Sequence, residues 1–416
     1  MKFVLRARNG PGRQPNVLFF LALVAITLVG PLSIHLFLPA LPHIRQSFAI
    51  DAETAQLAFS LPMFAMAIAT LFYGSLSDRF GRLPVLVGGM LLFAGGAALA
   101  AAAASISTLI LGRILQGLGA ASGMVLARAI VRDVYGAKRL GQMIAYLTAA
   151  YVVGPLCAPP IGGFLTDTFS WQSIQLLPMA FGTLGIIIAV VVIGETRQAV
   201  TISRSGLIIG YRKLIGDLRF TLFALNPAFC TGGFFALNTG ASFLMIETFG
   251  LSAAEFGLYF MLGPIGFLLG NFLSGLLIGR VSGNFLIIVG SVVSFTGAVA
   301  MTGLIAWVGL VPIFLFFGSS VLTLGQGLAM PHAQAAAIAT NPALTGTASG
   351  IVVFLQFLFA AGLTQLVVLG ADGTTMAVCS VTIASSTLAL VCGGGAVLLT
   401  KRHSRGGAKG SKMGSA

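Results

Sequence analysis

Charge is what this 416-residue chain has least of: 8% of its residues are Asp, Glu, Lys or Arg, against roughly a quarter in a soluble globular domain. A soluble fold is excluded on that ground. Cysteine is also scarce. Cys157, Cys230, Cys379 and Cys392 all fall in apolar stretches with no C-x-x-C pairing, which argues against disulfides and zinc and leaves them as small packing residues. No G-x-x-x-x-G-K-[ST] occurs, so ATP is not the expected energy source. The apolar stretches hold no carboxylate pair, no nucleophile with a base and no cluster of metal ligands, which disfavours an embedded enzyme. No filter-like loop or charged ring suggests a pore. Neither a metal nor a cofactor is implied.

What the chain has is 57% hydrophobic residues and a mean hydropathy of +1.00. Crossing about 30 Å of hydrocarbon at 1.5 Å per residue takes roughly 20 apolar residues. Twelve such stretches are expected, at 17–42, 54–76, 84–104, 108–131, 140–165, 173–194, 220–246, 256–279, 284–307, 312–338, 347–370 and 375–399. With the N-terminus inside, every lysine and arginine but Arg45 and Arg113 falls on the cytosolic side, whereas Asp51, Glu53, Asp167, Glu247, Glu255 and Asp372 fall outside. Such sorting is the positive-inside rule. The net charge of +13 is therefore a topology signal that also attracts anionic lipid heads, and nucleic acid is not an expected partner. The first apolar run is too long for a signal peptide and lacks an A-x-A site, so it is expected to be retained. Both termini are expected in the cytosol, in a bacterial inner membrane.

The only long polar stretch between spans, Arg197 to Arg219, divides six spans from six. The expected organisation is an N-terminal bundle 1–196, a cytosolic linker 197–219, a C-terminal bundle 220–400 and a basic tail 401–416. A shift of 201 residues lays "SFAIDAETAQLAF" (47–59) over "TFGLSAAEFGLYF" (248–260) and Arg79 over Arg280. Duplicated six-span halves suggest a carrier with a mid-membrane site that faces each side in turn.

After span two comes "GSLSDRFGRLPVL" (74–86). Gly74 and Gly81 permit a tight turn, Pro84 suits the first turn of span three, and Asp78, Arg79 and Arg82 lie at the cytosolic surface. In span five, "VVGPLCAPPIGGFL" (152–165) places Pro155, Pro159 and Pro160 inside a helix, which implies bent geometry held by neighbours, and Gly154, Gly162 and Gly163 let another helix approach. The loop at 74–86 resembles the signature of the major facilitator superfamily. "GRILQGLGAASGMVLARAIVRDVYG" (112–136), the span-five stretch and "HLFLPALP" (35–42) resemble its Bcr/CflA branch of twelve-span drug:proton antiporters. The resemblance implies an all-α membrane fold of twelve helices in two pseudo-symmetric six-helix bundles, and efflux of a small lipophilic compound in exchange for protons. It further implies that Asp78 meets the positive end of a second-half helix, that Arg82 pairs with Asp133 to latch the cytosolic gate, and that span five seals against leak.

Two residues break the apolar pattern of the spans. His35 and Arg113 both lie about 8–10 Å below the outer surface by the helical rise, and the resemblance places spans one and four along one cavity, so the two are expected to face each other across water. A charged residue in a span is a functional candidate because hydrocarbon penalises it. Where the family has an aspartate, this chain has His35, and none of its ten carboxylates lies inside a span. Arg113 therefore has no evident counter-ion. Three readings stay open: His35 carries the proton; an anionic or polar substrate neutralises Arg113; or His35 is a hydrogen-bonded structural residue. His332 in "GLAMPHAQAA" (327–336) stands where the family has Asn, in a gate region. Arg128 and Arg132 read as anchors near the inner surface, with Arg128 also a candidate gate partner. Asn238 and Gln356 are cavity contacts or interhelical hydrogen bonds, and Phe37, Phe59, Met63 and Phe234 are candidate cavity walls. The expected protein is a monomeric carrier of small molecules and protons; a receptor of the same fold is the alternative.

Overall fold

The computed structural model describes residues 17–196, 206–341, 344–369 and 375–413. The stretch 197–205 of the expected linker lies outside the described residues. All regular structure among them is helical: α1 Val17–Phe37, α2 Leu41–Phe48, α3 Ala52–Phe80, α4 Arg82–Ala101, α5 Ile106–Tyr151, α6 Val153–Thr168, α7 Leu176–Ile188, α8 Gly206–Ile215, α9 Leu218–Phe243, α10 Ala253–Phe260, α11 Leu262–Leu277, α12 Gly283–Val308, α13 Pro312–Ala339, α14 Thr345–Leu369 and α15 Thr375–Met413. Lipid offers no hydrogen bonds to a backbone, so helices that satisfy their own are what an apolar chain must form there.

Among the described residues, eleven segments are long and apolar enough to cross a membrane. The missing one is span five. It was expected as one stretch, 140–165, but the chain breaks at Val152 between α5 and the 16-residue α6. The cause is Pro155, which has no N–H to give Tyr151, so a helical hydrogen bond is lost there although Val152 keeps helical angles of φ −70° and ψ −18°. Pro264 does the same to Phe260, and span eight is split at Met261 into α10 and α11. At the end of span one, Pro39 opens a single 3₁₀ turn, Leu38–Ala40, between α1 and α2.

The repeat has a structural register. α3 starts at Ala52 and α10 at Ala253, and α4 starts at Arg82 and α12 at Gly283, both pairs 201 apart. The caps share the register. Asp51 accepts from the Thr54 N–H at 2.6 Å, and Ser252 forms a capping box with Glu255, each satisfying a backbone donor the helix leaves open. The Thr54 bonds also hold the exposed Asp51 carboxyl below the usual carboxylate range.

The chain divides into two compact units: Met1–Ile202 with Ser242–Met261, and Ser203–Ala241 with Leu262–Ala416. In the first, α4 and α5 interlock and α6 lies against α1 and α10. A Cβ on Gly162 would stand 2.2 Å from the Leu36 carbonyl oxygen, so α1 and α6 touch backbone to backbone there. In the second, α12 and α13 form the tightest pair, and α8 packs through Leu214 onto a core of Phe220, Phe223, Ile287, Ile351 and Val397.

This close packing sets the first expectation. Gly162→Ala should lower the apparent unfolding temperature of the purified protein by the equivalent of about 1–3 kcal/mol, the usual range for overpacking. Gly88→Ala, whose Cβ would meet nothing within 4 Å, should leave it unchanged or slightly raised. Thermal unfolding in detergent measures both.

Candidate functional site

Arg113 is 1% exposed, and the protein solvates it with neutral groups. Its Nη1 donates to Gln116 Oε1 at 2.7 Å and to Ser33 Oγ at 3.2 Å, and its Nε reaches the Ala58 carbonyl at 3.4 Å. The guanidinium carbon lies 4.1 Å from the centroid of the Phe37 ring, a favourable cation–π placement. Among the described residues, Arg113 has no carboxylate at ion-pair distance. Gln116 Nε2 passes the chain on to Gln175 Oε1 at 3.0 Å. A small cavity beside the guanidinium is bordered by Ser33, Ile34, Met66, Phe93 and Gln116.

His35 does not face this cluster, contrary to the expectation from depth. Ser33 and Phe37 are one helical turn apart on α1 and both meet Arg113, whereas His35, two residues from each, lies about 200° round the helix at 3.6 residues per turn. Depth follows from residue counting, but the azimuth depends on which neighbour a helix packs against. The His35 Nδ1 donates to the Pro31 carbonyl at 2.8 Å, and the ring lies edge-on to Phe260 of α10, centroids 5.9 Å apart.

The span-five motif lies on the same side of α1 as α10. Cβ atoms on Gly154 and Gly163 would collide with the Pro31 side chain and the Ala253 carbonyl, and one on Gly257 with the Pro159 carbonyl and the Pro160 backbone. Pro155 occupies the first turn of α6, and Pro159 and Pro160 lie inside it. One end of this seam is closed by charge. Asp167 accepts from the N–H groups of Ala253 and Ala254, at 3.1 and 2.8 Å, and Arg45 pairs with Glu247. Sequence reasoning treated these acids only as outer-face charges.

Elsewhere in the first unit, Gly81 makes the turn between α3 and α4 with φ +101°. Gly74 does not. It lies inside α3, where a Cβ would meet nothing within 4 Å, because α3 continues to Phe80. Arg82 is 3% exposed and joins three partners: Asp78 at 2.7 Å, Asp133 at 2.8 Å and the Ser77 hydroxyl at 2.6 Å. Arg79 stacks on Phe80. Arg128 is half-buried, and Arg132 is exposed and 3.8 Å from Asp133. Glu195 was missed altogether. Its carboxylate accepts from the N–H groups of Arg82 and Leu83 at 3.0 and 3.2 Å, the favourable charge for a helix N-terminus. A Cβ on Gly81 would stand 2.5 Å from it. The signal was present: an acid in "GETR" on a side otherwise dominated by basic residues.

The remaining candidates make the following contacts. Phe37 lies under Arg113, and Phe59 and Met63 are fully buried in the first unit. In the second, Phe234 touches Phe235 edge-on, and Asn238 bonds back to the Phe234 carbonyl at 2.7 Å. Gln356 accepts from Thr231 at 3.3 Å, which joins α14 to α9. His332 bonds to Ser274 of α11 at 2.8 Å. Sequence reading gave no weight to Asn226, which is fully buried and donates to Ser291 of α12 and the Ala389 carbonyl of α15.

The arginine cluster at 82 makes a second expectation. Arg82→Ala strands Asp78 and Asp133 and should destabilise the fold by about 3 kcal/mol, the lower end for breaking a buried pair. Arg82→Lys should recover only part of it, since an ammonium lacks the planar fork that spans both acids. Unfolding temperatures of the two variants, compared with the parent, measure this.

A model of the Major Facilitator Superfamily matches residues 20–364. The chain is 28% identical to multidrug resistance protein D of Escherichia coli over 83% of its own length and 86% of that protein. To a bicyclomycin resistance protein homolog of Haemophilus influenzae it is 24% identical, over 85% and 90%. Its fold superposes on a crystal structure of a D-xylose–proton symporter with a TM-score of 0.73 at 15% identity, covering 92% of this chain and 96% of that one. With its apolar spans, paired helix starts and signature loop at 74–86, the chain is a multi-pass membrane protein that belongs to the Major Facilitator Superfamily, on its Bcr/CflA-type branch.

Proposed function

We propose that the protein is a secondary active transporter of the bacterial inner membrane that exports small molecules of the multidrug type by alternating access, in antiport with protons. The observation that carries the reading is the likeness over more than four-fifths of the chain to relatives named for multidrug and bicyclomycin resistance. It acts as a monomer embedded in lipid, with both termini in the cytosol, where its basic segments meet anionic head groups. The bundles 1–196 and 220–400 are the two rocking bodies, and 197–219 is the tether between them. Members of this superfamily are carriers and not enzymes.

His35 is the proton-coupling candidate. Its ring is covered by Phe260 of α10, an element that a transport cycle must release for the outer side to open, so undocking of α10 would give the imidazole to water in one state only. Asp167 with Ala253 is the outer latch between the two bodies, and the cluster at Arg82 and Asp133 shapes the inner gate from within the N-terminal body. A second reading is favoured by the neutral cage of Arg113: an anionic or strongly polar substrate would supply the missing counter-charge.

The two readings predict different transport. In everted vesicles with an imposed pH gradient, the parent should accumulate ethidium, and His35→Ala should lose about a hundredfold of the gradient-driven rate, the lower end of what a positioned proton-transfer group contributes. Gradient-driven transport retained in His35→Ala would remove His35 as proton carrier. Preference for anionic over cationic dyes, abolished in Arg113→Ala, would establish the second reading.

A further inference from the structure

We infer that Gln175 is a positioning residue for transport: through Gln116 it fixes the guanidinium of Arg113 in a site that has no carboxylate to fix it. The inference rests on the reading of Arg113 as part of the transport machinery.

A guanidinium has donors only, so Gln116, at 2.7 Å from Arg113 Nη1, must present its carbonyl oxygen to it. That choice leaves the Gln116 amide nitrogen pointing away, as a donor in need of an acceptor. Gln175 supplies the acceptor at 3.0 Å. Gln116 and Gln175 are each 1% exposed, so water is not at hand as a substitute, and a buried amide without a partner is costly. The direction of the whole chain is therefore dictated by the cation. Both amide dipoles turn their negative ends toward it, and hydrogen bonds in series strengthen one another in a low-dielectric interior.

The backbone leaves Gln116 little freedom to solve the problem otherwise. A Cβ on Gly96 of α4 would stand 2.7 Å from the Gln116 backbone nitrogen, and one on Gly117 would stand 2.1 Å from the Pro62 carbonyl of α3. α5 is thus clamped between two helices at this level, and only the side chain of Gln116 can turn. Gln175 closes the 3₁₀ turn Ser173–Gln175 at the head of span six, so the orientation of the span-four cation is set from a third element. The consequence is functional. An arginine held by amides keeps its whole charge for a substrate or a proton-carrying group, whereas one held by a carboxylate would be neutralised in the resting state.

The test compares Gln175→Leu, which removes the acceptor, with Gln175→Glu, which keeps it, and Gln116→Leu, which cuts the chain one step earlier. Gln172→Leu, one turn away, is the control. The first readout is independent of transport: the rate at which p-hydroxyphenylglyoxal modifies Arg113 in the purified protein, followed by mass spectrometry. Gln175→Leu and Gln116→Leu should raise it about fivefold, the factor matching one hydrogen bond of roughly 1 kcal/mol. Gln172→Leu should stay at the parent rate, and Gln175→Glu, whose carboxyl still accepts from Gln116, should not exceed it. The second readout is transport of ethidium, where Gln175→Leu should lower kcat with KM little changed, and the double variant Gln116→Leu with Gln175→Leu should lose no more than Gln116→Leu alone. Parental modification rates in Gln175→Leu, equal rates in Gln175→Leu and Gln175→Glu, or additive losses in the double variant would overturn the inference. A parent that moves no ethidium would count against the proposed cargo while leaving the modification readout to decide on Gln175.

Discussion

A cation buried in a helix bundle must be solvated by the bundle, and this chain does it without an anion. The choice shapes the whole first unit. Ser33 and Phe37 must face the same way on α1, the Ala58 carbonyl must be accessible on α3, and Gln116 and Gln175 must align across α5 and the head of span six. Each is an ordinary neutral group. Together they supply the dipoles and the aromatic face that a carboxylate would otherwise replace. The opposite solution appears at the turn between α3 and α4, where Arg82 is surrounded by two acids and a hydroxyl. One cation is held as a charge available for use, the other as a neutralised clasp.

Around these sites, proline and glycine divide the labour. Pro155 and Pro264 each remove a backbone hydrogen bond from a span, and α6 lies against both α1 and α10. Glycines then bring the backbones into contact, since lipid gives apolar side chains little reason to cluster and packing must supply the cohesion. Carboxylates finish the job at helix starts. Glu195 grips the first amides of α4, and Asp167 those of α10.

Much of this was legible in the sequence, for physical reasons. Apolar length gave the spans, and the 201-residue shift gave two pairs of helix starts, because a cap residue at a membrane boundary is a local device that repeats with the gene segment. Gly81 was legible as a turn, since only its φ and its neighbours need to be satisfied there. The pairing of Arg82 with Asp133 followed from the motif resemblance and ordinary charge logic. Other features depend on azimuth and on distant packing, which no local pattern encodes. His35 and Arg113 match in depth and differ in direction. Gly74 sits in a motif but inside a helix. Gln116 and Gln175 act across helices that only tertiary structure brings together, and their letters are unremarkable in isolation, whereas Glu195 stood out as an acid among basic residues but its target, the first amides of α4, did not.

The seam between α6 and α10 is built from glycine on one side and main-chain carbonyl on the other, at Gly163 against Ala253 and Gly257 against Pro159. Such a joint reads no side-chain identity across its width. Evolutionary drift should therefore be lopsided there: the two glycines are frozen, while Ala253, which offers Gly163 only its carbonyl, is free to vary in lineage after lineage without loosening the fit.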